Sequence, residues 1–102
     1  MIKYFIAGMF FFNGIPHLVK GIAGEKHMTP FMRVSSPILN VVWAFVNFVF
    51  AFLIMGFNKT TGALDFPAGI NFWVFMLGGF LLSLTAAKLF GGPNARLPWH
   101  KD

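Results

Sequence analysis

Apolar residues dominate three stretches of the chain, from about Ile2 to Val19, from Ile38 to Phe57 and from Phe66 to Phe90, and polar residues collect between them. An α-helix rises about 1.5 Å per residue and bilayer hydrocarbon is about 30 Å thick, so roughly 20 apolar residues make one crossing. Each stretch reaches or approaches that length. The pattern predicts an all-α integral membrane bundle of three transmembrane helices over residues 2–20, 37–57 and 66–90. Residues 21–36 then form an interfacial connector and 91–102 a short polar tail, all within a single membrane domain.

Punctuation at the ends of the runs supports this division. Ser36 followed by Pro37 has the N-cap and first-turn pattern that opens a helix. The connector from Lys20 to Ser36 holds Gly21, Gly24 and Thr29-Pro30, which is turn chemistry suited to the membrane surface, with Phe31 and Met32 dipping toward the acyl chains. Asn58 to Asp65 reads as a tight polar turn. Gly91-Gly92-Pro93 is expected to stop the third helix and Trp99 to anchor at the headgroups. The first run is the least pure, with Lys3 near its start and Asn13, Pro16 and His17 inside it. A cleaved signal peptide is the alternative there, but Ile22-Ala23-Gly24 is a poor cleavage site and the polar residues interrupt too early, so a retained helix is expected. Pro16 removes an amide hydrogen bond to the carbonyl of Phe12 and predicts a kink in that helix.

Polar positions within the runs fall on stripes. In lipid, helices are held by close packing of small residues and by interhelical hydrogen bonds, so such stripes mark the faces turned toward protein. On the second helix Ser36, Asn40, Ala44, Asn47 and Ala51 align at a helical period with Trp43 at the edge, opposite Phe45, Val49, Phe52 and Leu53. On the third, Asn71, Gly78, Gly79, Ser83, Thr85 and Ala86 oppose Trp73, Leu77, Phe80, Leu81 and Leu84. Gly78, Gly79 and Ser83 are the expected packing positions. On the first, Asn13 and His17 are four residues apart and share a face with Ile6, Met9 and Lys20. One intramembrane polar cluster of Asn13, His17, Asn40, Asn47, Ser83 and Thr85 is the candidate site.

Composition narrows the reading further. The 102 residues are 57% apolar and 11% charged, with fifteen Phe against three acidic residues, too little polar surface to cover a soluble core. The formal charge of +5 does not point to nucleic acid, because the Lys and Arg are scattered singly between apolar runs. Their distribution instead sets orientation: Lys20, Lys26, Arg33, Lys88, Arg96 and Lys101 lie on one side and Lys3 and Lys59 on the other, which favours the N-terminus outside and the C-terminus inside a cell's inner (plasma) membrane. Lys88 sits in the last helical turn, where it snorkels to the headgroups. The chain has no Cys, so thiolate sites and Cys nucleophiles are excluded.

The segment Asn13-Gly14-Ile15-Pro16-His17, then Gly21, Gly24, Thr29-Pro30-Phe31, Ser35-Ser36 and Asn40-Val41-Val42-Trp43 with Asn47, resembles a group of small bacterial integral membrane proteins of unknown function. The likeness covers roughly residues 13 to 47 and implies a multi-pass membrane protein without assigning it a chemistry. In its small, Gly-rich, multi-helix design, with a Gly and a His near the end of the first helix, the chain is also similar to DoxX-like membrane proteins, which usually have four helices.

Three functions fit the residues. A non-catalytic membrane protein, working as a homo-oligomer or as an accessory subunit of a larger membrane complex, requires least. An oligomeric transporter or channel for a small solute or proton would line its path with Asn13, His17, Asn40, Asn47 and Thr85, although no span carries a carboxylate to couple to a proton. A haem- or metal-binding subunit would rest on His17, joined by His27 and His100; three histidines without a carboxylate or thiol at ligand spacing are a weak metal signal, so neither cofactor nor metal is expected. No nucleophile sits beside a base, which argues against an enzyme. An ionisable group at membrane depth marks His17 for attention in all three.

Overall fold

A computed structural model of the chain describes residues 1–90 and Pro98. Three helices form its framework: α1 (Ile2–Ile22), α2 (Pro37–Met55) and α3 (Ile70–Phe90). Each is long and apolar enough to cross a membrane. The predicted stop at Gly91-Gly92-Pro93, the Trp99 anchor, and Arg96, His100 and Lys101 lie outside the described residues.

The helix ends differ from the sequence expectation for local reasons. α1 runs on to Ile22 and contains Pro16. α2 begins as expected, with the Ser36 hydroxyl accepting from the Leu39 amide at 3.1 Å and Pro37 opening the first turn. It ends at Met55 rather than residue 57, because Gly56 turns to φ +89 while its amide donates to the Phe52 carbonyl. α3 begins at Ile70 rather than residue 66: Pro67 disfavours helical geometry at Phe66, and Gly69 adopts φ +61. Residues 56–69 instead fold over the end of the bundle, with an antiparallel bridge between Phe57 and Leu64 and a turn in which Asn58 Oδ1 accepts from the amides of Thr60 and Thr61.

α1 is the centre of the arrangement. It packs against both α2 and α3, and those two do not pack against each other. Close approach on each side depends on glycine. A methyl group at Gly8 would run into the Phe75 carbonyl of α3, and one at Gly78 would run into the Phe5 carbonyl of α1, so the two backbones touch at reciprocal glycines. On the other side Gly14 lies under the Ala44 carbonyl, 3.0 Å from where its methyl would be, and beneath the Phe48 ring. Along one edge of α1 the gap between the outer helices is filled by Phe11, whose ring centroid lies 5.3 Å from Phe48, 6.2 Å from Phe52 and 5.7 Å from Phe75. Tyr4, Ala7, Ala51, Met55 and Phe75 are buried beside it. The expected outward position of Phe52 is thereby corrected, since its ring packs against this core. Along the opposite edge of α1 the gap stays open as a groove.

Candidate functional site

The polar residues of α1 and α2 meet side by side between the two helices. Asn13 Nδ2 donates to Asn47 Oδ1 at 3.0 Å, and Asn47 Nδ2 donates in turn to the Trp43 carbonyl one turn back at 2.8 Å. One turn further along α1, His17 Nδ1 lies 2.8 Å from Asn40 Oδ1. His17 is 2% exposed and Asn40 and Asn47 at most 1%. At that depth each amide needs a partner, because hydrocarbon supplies none.

The orientation of the Asn40 amide is settled by its surroundings. Its nitrogen faces three carbonyl oxygens, those of His27, Ser35 and Ser36, at 3.0, 3.2 and 3.0 Å. The oxygen must therefore be the atom turned to His17, and it accepts from Nδ1–H. A neutral His17 then carries its proton on Nδ1 and a lone pair on Nε2.

Asn40 thus joins the helices to the connector. Residues 27–35 close as a small loop, with paired backbone bonds between His27 and Ser35. Inside it the Ser35 hydroxyl donates to the Met32 carbonyl at 2.9 Å and accepts from the Thr29 hydroxyl at 2.6 Å, while Thr29 Oγ1 accepts from the amides of Phe31 and Met32. Thr29 and Ser35 are fully buried. The loop folds back so that the His27 ring lies 5.1 Å from that of His17. Burial pushes the His27 imidazole below its ordinary pKa, and repulsion from His17, when that ring is protonated, and from Lys20 pushes it the same way.

Four of the six candidate residues, Asn13, His17, Asn40 and Asn47, are brought together; Ser83 and Thr85 are not. Thr85 is exposed and its hydroxyl donates to the Leu81 carbonyl of its own helix at 2.9 Å, so it needs no neighbour. Ser83 is exposed at a crevice between α1 and α3, beside Pro16 and His27. Of the packing positions, Gly78 and Gly79 are buried, the first against the Phe5 backbone and the second against the Phe12 ring. Thr29, Ser35 and Trp43, which join these residues, are not among the six candidates. Their signal lay in the connector, where two hydroxyl-bearing residues each precede or approach a proline. Among the described residues no group of three His, Asp or Glu side chains converges as a metal site.

Two cavities border the cluster in the open groove. One, of about 160 Å3, lies under the connector between His17, Thr29, Trp43 and Leu89. The other, of about 230 Å3, continues along α1 between Ile6, Met9, Phe10 and Leu82. Asn13 and Trp43 line both. No family model matches the sequence, and neither the curated proteins nor the solved structures include a match to it.

Proposed function

We propose that the chain is a small multi-pass protein of the inner membrane, without catalytic chemistry, that works as a homo-oligomer or as an accessory subunit packed on a larger membrane complex. The observation that carries this reading is that α2 and α3 each pack on α1 and not on each other, so a single copy encloses no passage. The polar residues that would line a passage are bonded to one another, Asn13 to Asn47 and His17 to Asn40, which spends them on holding helices together. Outer faces of α2 and α3, including Phe45, Val49, Leu53, Leu77, Phe80 and Leu84, remain uncovered and are available to lipid or to further helices. The likeness of residues 13 to 47 to small bacterial membrane proteins belongs with the same reading.

The test is the state of the protein in its own membrane. The chain has no Cys, so single cysteines at Val49 and Leu77 give an unambiguous cross-linking readout. Disulfide-linked dimers, or a second protein captured at either position, support the proposal. A monomer that cross-links to nothing in membranes, and that runs as a single 11.4 kDa chain at every detergent ratio, overturns it.

A further inference from the structure

We infer that the groove along α1 is a binding site for an uncharged, lipid-soluble alcohol or phenol, whose hydroxyl sits between Trp43 and His17 and whose apolar body lies toward Ile6. This site is separate from the assembly surfaces proposed above and does not depend on them.

Hydrogen-bond bookkeeping leads to the hydroxyl. The Trp43 indole N–H is buried and has no acceptor among the described residues. A buried donor without a partner is costly, and proteins rarely keep one without a reason. His17 is its complement: with the Nδ1 proton committed to Asn40, the lone pair on Nε2 is an acceptor, and no donor reaches it among the described residues. Both side chains line the same small cavity. A group that satisfies both must accept from the indole and donate to the imidazole. One hydroxyl does this. A ketone or ester would satisfy Trp43 and leave His17 unpaired. A carboxylate would bury a charge, and none of the described residues that line the cavity is a Lys or Arg to pair with it.

Shape supplies the rest of the ligand. The cavity at Trp43 and His17 holds about 160 Å3 and has Met28, Thr29 and Pro30 of the connector along one side. The adjoining cavity of about 230 Å3 shares Asn13 and Trp43 with it and is otherwise lined by Ile6, Met9, Phe10, Leu82 and the Asn47 amide. Both spaces are mainly apolar, and the hydrogen-bonding groups of His17 and Thr29 are confined to the end under the connector. Neither space admits a helix, which is about 10 Å across with its side chains. A small amphiphile entering from the lipid fits both.

The test follows the indole proton of Trp43 by NMR in the full-length chain, labelled with nitrogen-15 on its tryptophans and held in micelles, with Trp43→Phe used to assign the resonance. Decan-1-ol, methyl decyl ether and decane are the probes. They offer a donor and an acceptor, an acceptor alone, and neither. Decan-1-ol should produce a saturable downfield shift of the Trp43 proton, and the exposed Trp73 should show none. The ether should need a concentration roughly fivefold higher for half-saturation, the usual effect of one lost hydrogen bond, and decane should leave the proton unmoved. On a His17→Leu background the alcohol should fall to the level of the ether. If that variant does not fold, the alcohol-to-ether comparison on the unaltered chain still decides. Equal shifts from all three probes, shifts that never saturate, or no shift at all would show that the cavity holds water or nothing, and the inference would fall.

Discussion

His17 Nδ1 lies 2.8 Å from Asn40 Oδ1, and this contact ties the C-terminal part of one membrane-length helix to the first turn of the next and, through the Asn40 amide nitrogen, to the loop between them. Replacing His17 with Leu leaves the Asn40 oxygen buried without a donor, at a cost of about 1–3 kcal/mol. Replacing it with Gln keeps an N–H for that oxygen. His17→Leu should therefore lower the thermal midpoint in detergent by several degrees and His17→Gln by much less. An unchanged midpoint for His17→Leu would mean the bond contributes nothing to the fold.

The glycines between α1 and α3 should rank by what opposes them. A methyl group at Gly78 meets the Phe5 carbonyl, which belongs to the backbone and cannot turn aside, whereas one at Gly79 meets the Phe12 ring. Gly78→Ala should cost about 1–3 kcal/mol, as overpacking does, and Gly79→Ala less. Phe80→Leu, on the exposed side of α3, should be nearly silent. Midpoints in detergent that place Phe80→Leu level with Gly78→Ala would contradict the packing of α3 on α1.

Asn13 and Asn47 bond across helices at 3.0 Å, yet such bonds in membranes average about 0.6 kcal/mol in double-mutant cycles, because the separated helices also find partners. The single changes Asn13→Ala and Asn47→Ala should each leave a folded protein, and the coupling from the double mutant should be close to that figure. Asn47→Ala should be the more damaging of the two, since the Asn47 amide also caps the Trp43 carbonyl. Strictly additive effects would indicate that the two amides do not interact.

The α1–α2 half of the site was legible in the sequence because amides at membrane depth have few options. Asn40, Ala44, Asn47 and Ala51 repeat at a helical period, and the structure buries all four, with Met55, on one face. Asn13 and His17, one turn apart, meet that face. The α3 half was not legible, and Thr85 shows why: a hydroxyl can bond the carbonyl four residues back in its own helix, so its presence does not mark an interface. Gly78 was the better marker, since absence of a side chain permits close approach and has no competing local use. The part played by the connector was hidden for another reason. Asn40 recognises it through backbone carbonyls, which every sequence possesses, and only the folded loop shows which three of them face the amide.

Orientation has a direct test in a chain without cysteine. With the N-terminus outside, a Cys at Thr60 in the α2–α3 loop should react with an impermeant thiol reagent in whole cells, and a Cys at Lys26 in the α1–α2 connector should react only after lysis. Both positions are exposed, so access within the fold does not limit either reaction. The opposite pattern would mean that Lys3 and the amino terminus outweigh the basic residues of the connector.

The loop over the site should make stability depend on pH through His27. Burial is the main reason its imidazole resists protonation in the folded chain, with repulsion from His17, when that ring is protonated, and from Lys20 acting in the same direction. The unfolded chain has no such restraint and takes up the proton near the ordinary histidine value, about 6.5. The folded pKa is thus the lower of the two. Above about 6.5 neither state is protonated and His27 leaves stability unaffected; as pH falls through that value the unfolded state gains a proton that the folded state refuses, and stability declines until the folded pKa is passed. The thermal midpoint in detergent should accordingly be level from pH 8 to 7 and fall between pH 6.5 and 5. His27→Gln should flatten that fall, because the backbone bonds of residue 27 to Ser35 do not involve its side chain. A midpoint that rises on acidification, or a fall that His27→Gln leaves untouched, would place the titrating group elsewhere in the protein.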